Sequence, residues 1–124
     1  QGDILVVGVN DDASVTRLKG PGRPILPLDQ RLRVLAGIAA VDYVIPFEED
    51  TPAALIKLFR PEVLVKGGDY TVEEVVGREE ALGWGGRVEL APPSEGISTR
   101  AVIQEILKRF PPAAKQAGQR TPSR

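Results

Sequence analysis

Asp3-Ile4-Leu5-Val6-Val7-Gly8-Val9 is an almost unbroken apolar run. A strand with one wet face alternates apolar and polar residues, whereas a strand covered by helices on both faces does not. The run therefore predicts a buried parallel strand. The same rhythm returns along the chain. Asn10 to Lys19 reads as a turn and a short helix, followed by the loop Gly20-Pro21-Gly22-Arg23-Pro24. Leu28, Leu32, Leu35, Ile38 and Ala39 fall at helical spacing within Leu28 to Ala40. Tyr43-Val44-Ile45-Pro46 is a second strand. Thr51-Pro52 reads as an N-cap with proline in the first turn of a helix reaching Phe59. Val63-Leu64-Val65 is a third strand, Glu73 to about Leu82 a helix, Arg87-Val88-Glu89-Leu90 a fourth strand, and Ala101 to Phe110 a last helix. Strand and helix alternate four times, which predicts an α/β domain with a doubly wound parallel sheet and right-handed crossovers. Residues 1–110 form that domain, and no internal repeat is visible. From Pro111 to Arg124 the composition turns to Pro, Ala, Gln, Gly and Ser with three cations and no acid, a disordered basic tail.

Composition narrows the chemistry. The 124 residues are 27% charged and 42% hydrophobic, ordinary for a soluble globular domain. A formal net charge of −1 gives no general attraction for nucleic acid or a membrane surface. No apolar run approaches the ~20 residues of a membrane span. The chain has no cysteine and no histidine, so it forms no disulfide, thiolate site or imidazole site, and cytoplasmic location is the default.

In doubly wound folds ligands bind at the C-terminal ends of the strands. After the first strand come Asn10, Asp11 and Asp12, then Arg17, Lys19 and Arg23, cations suited to clamp a polyphosphate. After the third comes Lys66-Gly67-Gly68-Asp69-Tyr70, where paired glycines permit positive φ and leave room for a flat ligand. After the fourth comes Glu95-Gly96-Ile97-Ser98-Thr99 at a helix start, where N–H groups and hydroxyls suit an anion. Capping alone would explain Ser98. Three such loops at three strand ends point to a phosphate or nucleotide. Elsewhere Trp84 reads as a packing residue at a helix end. Glu48-Glu49-Asp50 reads as electrostatic support for the helix that follows rather than a metal site.

Five segments carry a resemblance in order and spacing: Val7-Gly8-Val9-Asn10; Arg17-Leu18-Lys19-Gly20 with Arg23-Pro24; Val41-Asp42-Tyr43-Val44; Lys66 to Tyr70; and Glu95 to Thr99. Together they resemble the cytidylyltransferase-like nucleotidyltransferases over residues 1 to about 110. Within that family the chain is most similar to the adenylyltransferases that make ADP-heptose from heptose 1-phosphate for lipopolysaccharide. The resemblance implies attack of a sugar phosphate on the α-phosphorus of ATP, with Mg²⁺ carried by the nucleotide. It implies that Lys19 contacts the triphosphate in the transition state. Lys66, Gly67, Gly68, Asp69, Gly96, Ile97, Ser98 and Thr99 would line the nucleotide site. Asn10, Asp12, Arg23 and Arg31 would face the sugar phosphate or the rim. The partners implied are small molecules, with a homo-oligomer as one arrangement.

The resemblance also exposes a departure. The family carries an H-x-G-H pair after its first strand, and this chain has no histidine. Gln1-Gly2-Asp3 resembles the turn into the family's second strand, so the fold is expected to lack the first strand and helix, roughly 25–30 residues. Glu105 stands where many relatives carry arginine, and Arg100 lies one turn earlier. Three readings stay open: a piece of a working adenylyltransferase, a non-catalytic nucleotide-binding module, or a chain completed by a second one. A cytidylyltransferase acting on another phosphorylated small molecule is the remaining alternative.

Overall fold

The apolar run becomes β1, Val6–Asn10, in a computed structural model that describes residues 2–96 and 98–112. It pairs in parallel with β2, Tyr43–Phe47, in the register Val6 to Tyr43 through Asn10 to Phe47. Parallel neighbours need a crossover, and here it consists of two helices, α1 (Asp12–Lys19) and α2 (Leu28–Ala36). Asp11 caps α1, its Oδ1 accepting the Ser14 N–H at 2.7 Å, and Gly20 closes it at φ +89°. The β2 entry is fastened to β1 by Asp42, whose Oδ2 accepts the Leu5 N–H at 2.8 Å. Helix α2 stops at Ala36 because Gly37 takes its C-cap, leaving Ile38 and Ala39 in the following turn.

Helix α3, Ala53–Phe59, leads to β3, Val63–Gly67, which pairs in parallel with β4, Arg87–Ala91. Two expectations need correcting between these elements. Pro52 rather than Thr51 occupies the α3 cap position, and no side chain caps this helix. The helix expected from Glu73 to about Leu82 is broken: a 3₁₀ turn at Val72–Glu74 is followed by α4, Arg78–Gly83. The break has a local cause. Thr71 and Glu74 close a capping box around the short turn, Val75 runs extended into the core, and Gly77 turns left-handed at φ +86°.

All four strands run parallel to their partners, as a doubly wound α/β fold requires. They form two pairs, β1–β2 and β3–β4, with no ladder joining the pairs among the described residues. Helix α3 lies between them in sequence and reaches both. A Cβ placed on Gly8 of β1 would stand 3.0 Å from Leu55, and one on Gly77 would meet Ile56 and Leu64. Two-stranded sheets leave half their backbone groups unpaired and bury little. Accordingly the buried apolar residues of the described chain are Val9, Ile56, Val75 and Ala81, while Leu5, Tyr43 and Val65 remain largely exposed.

The chain divides into two units, residues 1–92 and 93–124. The second unit contains α5, Thr99–Arg109, which starts two residues before the expected Ala101 because Ser98 takes the N-cap, and ends one residue before the expected Phe110. Ser98 is its N-cap, with Oγ accepting the Ala101 N–H at 3.0 Å, and Lys108 and Arg109 favour its C-terminal end. Val102 and Ile106 stand one turn apart on this helix and are both exposed. The tail beyond Pro112 lies outside the described residues.

Candidate functional site

The end of β1 is knotted to its surroundings. Asn10 Nδ2 donates to Ser14 Oγ and to the Glu49 carbonyl, each at 3.2 Å, while Asp11 N–H donates to the Phe47 carbonyl at 2.9 Å. Ser14 is fully buried beneath these bonds. Its backbone N–H, then its hydroxyl, hold the Asp11 carboxyl below its ordinary pKa, and Arg17 and Arg31 add to the effect. The loop after β2 is drawn into the same network. Arg17 Nε pairs with Asp50 Oδ1 at 2.7 Å and Nη2 donates to the Glu48 carbonyl at 2.7 Å. Asp50 thus pairs with α1, and the Glu48 and Glu49 carbonyls serve as acceptors within this network.

The cations of this region fall into two sets. Arg17 is taken by Asp50 and Glu48, and Arg31 by Asp12, Asn10 and Leu26. Lys19, the last residue of α1, is exposed and its side chain makes no hydrogen bond or ion pair among the described residues. The Arg23 guanidinium is likewise unengaged, although its carbonyl accepts the Thr16 hydroxyl at 2.7 Å. Lys19 and Arg23 are therefore the cations here that can approach an anion without giving up an existing pair. Sequence treats all four alike.

A cavity of about 480 Å³ opens nearby between the β2 end and α3. Its lining includes Asp11, Glu48 and Glu49 together with Phe47, Leu55 and Leu58. Three acids repel a triphosphate, so this cavity does not suit one. Among the described residues there is no group of three or more side chains able to hold a metal ion.

At the end of β3 the Lys66 to Tyr70 loop folds on itself. Gly68 adopts φ +117°, and the Tyr70 ring covers it so closely that a Cβ there would stand 3.0 Å from the ring. The Lys66 ammonium sits over the same ring, 4.8 Å from its centroid. Gly67 faces open space on its Cβ side. The backbone of Gly67 is thus accessible, Asp69 is exposed, and Lys66 is steadied by an aromatic face. The role of Tyr70 goes beyond what the glycine pair signals, though an aromatic residue four positions after a lysine is a visible hint.

In the second unit, Gly96 is left-handed at φ +72° with nothing near its Cβ position. Ser98 and Thr99 follow at the α5 start, and Ile97 lies outside the described residues. The Ser98 hydroxyl accepts from Ala101 and keeps its own proton to donate. Trp84 behaves as a packing residue: it takes the C-cap of α4, donates Nε1–H to the Pro61 carbonyl at 3.0 Å, and lies under the Arg60 guanidinium.

Known proteins share this sequence over most of its length. The cytidylyltransferase-like family model matches residues 1–105. The chain is 57% identical over 109 residues to bifunctional protein HldE of Pseudomonas aeruginosa (strain LESB58), covering 88% of this chain and 23% of that protein. It is 55% identical over 108 residues to bifunctional protein HldE of Shewanella sp. (strain ANA-3), with 87% and 23% covered. The chain thus spans under a quarter of the length of these relatives. With the family match extending over most of its length and across both parallel strand pairs, the chain belongs to the cytidylyltransferase-like family of nucleotidyltransferases.

Proposed function

We propose that this chain contributes the adenylyl-transfer site of ADP-heptose synthesis, moving AMP from ATP to heptose 1-phosphate and releasing pyrophosphate. An oxygen of the sugar phosphate attacks the α-phosphorus, the bond from that phosphorus to the bridging oxygen breaks, and pyrophosphate leaves with the electron pair. Such a reaction is accelerated chiefly by positioning and by neutralising the charge that develops on the phosphates. Lys19, unengaged at the end of α1, supplies that charge, and Arg23 faces the phosphates beside it. Lys66, Gly67, Gly68 and Asp69 receive the nucleotide, with Asn10 and Asp12 shaping the neighbouring wall. Ser98, Thr99 and the free N–H groups of the α5 start hold phosphate. Mg²⁺ enters as part of the MgATP substrate, and no step is assigned to it. The reading places the reaction in the cytoplasm, where ATP is available, and no helix among the described residues is long and apolar enough to cross a membrane.

The observation that carries the reading is the identity of 57% to bifunctional protein HldE, together with a family match that takes in all these loops. The missing imidazoles set its boundary. With no histidine, the 124-residue chain alone is expected to release negligible pyrophosphate from ATP, Mg²⁺ and heptose 1-phosphate. The full natural polypeptide is expected to turn over, and Lys19→Ala is expected to slow it by roughly 100-fold or more. Robust turnover by the 124 residues alone would overturn the need for imidazole. A full polypeptide that prefers CTP, or a different phosphorylated acceptor, would overturn the substrate assignment. The absence of histidine also favours a second reading, a nucleotide-binding module without turnover. It predicts heat of ATP binding in calorimetry with no pyrophosphate from any form of the protein.

A further inference from the structure

Arg31 has a more specific job than its position beside the proposed phosphate loop suggests. It projects from the first half of α2, and its side chain is only 20% exposed. Nε donates to the Leu26 carbonyl at 3.0 Å, Nη1 to the Asn10 carbonyl at 2.8 Å, and Nη2 to Asp12 Oδ1 at 2.7 Å. The three acceptors belong to three segments: the loop before α2, the last residue of β1 and the first residue of α1. Every nitrogen of the planar fork is thus engaged with the protein, and the fork's rigidity transmits one geometry to all three segments.

We propose that Arg31 is a positioning residue that sets where Lys19 stands, and not a ligand of the sugar phosphate; the inference rests on the reading of Lys19 given above. Asp12 opens α1 and Lys19 ends it. Eight residues of helix span ~12 Å, so a tilt of about 5° at the Asp12 end displaces Lys19 by about 1 Å. Displacement of that size is enough to reduce turnover about 100-fold when the displaced group must meet a transition state. Two other tethers hold α1 toward its far end: Arg17, in the last turn, pairs with Asp50 where both are half exposed, and the Thr16 hydroxyl donates to the Arg23 carbonyl at 2.7 Å; neither grips the start of the helix. Arg31 alone joins strand end, helix start and the loop that carries Arg23 toward α2.

The test uses the full natural polypeptide carrying Arg31→Ala, Arg31→Lys, Lys19→Ala and the double variant Arg31→Ala/Lys19→Ala. A positioning role predicts that Arg31→Ala lowers kcat about 100-fold while KM for the sugar phosphate stays within about threefold. The double variant should be no slower than the worse single one, because Lys19 is already displaced. Lysine replaces at best part of the fork, so Arg31→Lys should recover little. A rise of tenfold or more in KM for the sugar phosphate, additive losses in the double variant, or full rescue by lysine would each overturn the proposal. Should Arg31→Ala fail to fold, hydrogen exchange on Arg31→Lys decides. Amides of Thr16 to Lys19 should exchange roughly tenfold faster while those of β3 and β4 stay unchanged. Unchanged α1 amides would overturn the bracing. If Lys19→Ala leaves kcat intact, the functional reading of Lys19 falls and takes with it the link from Arg31 to turnover, whereas exchange still judges the brace.

Discussion

Replacing Gly77 by alanine should destabilise the first unit more than replacing Gly85, although both glycines hold a left-handed backbone, at φ +86° and +84°. An L side chain in that region costs about 1–2 kcal/mol. Loss of backbone freedom in the unfolded chain offsets about 0.4–1 kcal/mol of it. These two effects are shared, so comparing the variants cancels them. What differs is space. A Cβ on Gly85 meets nothing within 4 Å, whereas one on Gly77 stands 2.7 Å from Ile56 Cδ1, 2.9 Å from Ile56 Cγ2 and 3.4 Å from Leu64 Cδ2. Ile56 is buried, at 6% exposure, and its branched Cγ2 cannot swing away without leaving its χ1 well. Overpacking of this kind costs about 1–3 kcal/mol. Gly85→Ala is therefore expected to lose about 1 kcal/mol and Gly77→Ala about 2–4 kcal/mol. At about 4 °C per kcal/mol, thermal melts followed by circular dichroism should separate the two by about 4–12 °C. Ile56→Val removes the Cδ1 atom at 2.7 Å, so combining it with Gly77→Ala should cost less than the sum of the single changes. Equal melting temperatures for Gly77→Ala and Gly85→Ala, or strict additivity with Ile56→Val, would refute the account of how α3, β3 and the α4 start fit together.

Three further expectations concern caps and buried hydrogen bonds. Because its hydrogen bonds lower the pKa of Asp11 in the folded state, its stabilisation is complete above the unfolded value of about 3.9 and is lost as pH falls through the folded one. Melting temperature should thus drop on acidification below about pH 4, and Asp11→Asn should make that acid limb shallower; an unchanged limb would speak against the cap. Trp84→Phe leaves the Pro61 carbonyl without its indole donor and weakens the Arg60 stacking. Urea unfolding should show a loss of about 1–2 kcal/mol, and a neutral result would mean the hydrogen bond contributes nothing. Ser98→Ala should cost α5 about 1 kcal/mol and Ser98→Gly only a few tenths, read as faster exchange of the Ala101 amide. Equal exchange in both variants would count against hydroxyl capping.

The order of elements was legible because it rests on local physics. The apolar run does form a parallel strand, but it is not covered on both faces as expected: in β1 only Val9 is buried, because its sheet has two strands, and Ile4 and Leu5 stay exposed. Glycines or prolines punctuate each helix. The ends of α1 and α5 follow from Asp11, Gly20 and Ser98, whose capping chemistry acts within four residues. Element breaks were less legible where two local signals competed. At residues 72–83 an acidic, helix-friendly stretch contains a capping box and a left-handed glycine, and those two devices won. Thr51 lost its cap because Pro52 took that position.

Residue type and short spacing were enough to reveal the family and the parallel strand–helix alternation, and they singled out three loops as candidates for phosphate. The sequence by itself could not sort the cations. Arg17 finds Asp50 33 residues away, and Arg31 finds Asn10 and Asp12 21 and 19 residues away, so their engagement exists only once β1, β2 and α2 are packed. Among the described residues, that packing brings no acid into an ion pair with Lys19 or Arg23. Nor could periodicity say whether four parallel strands form one ladder or two, since a strand's own residues do not name its neighbour. Only the tertiary structure decides that, by which backbone edges come within hydrogen-bonding reach.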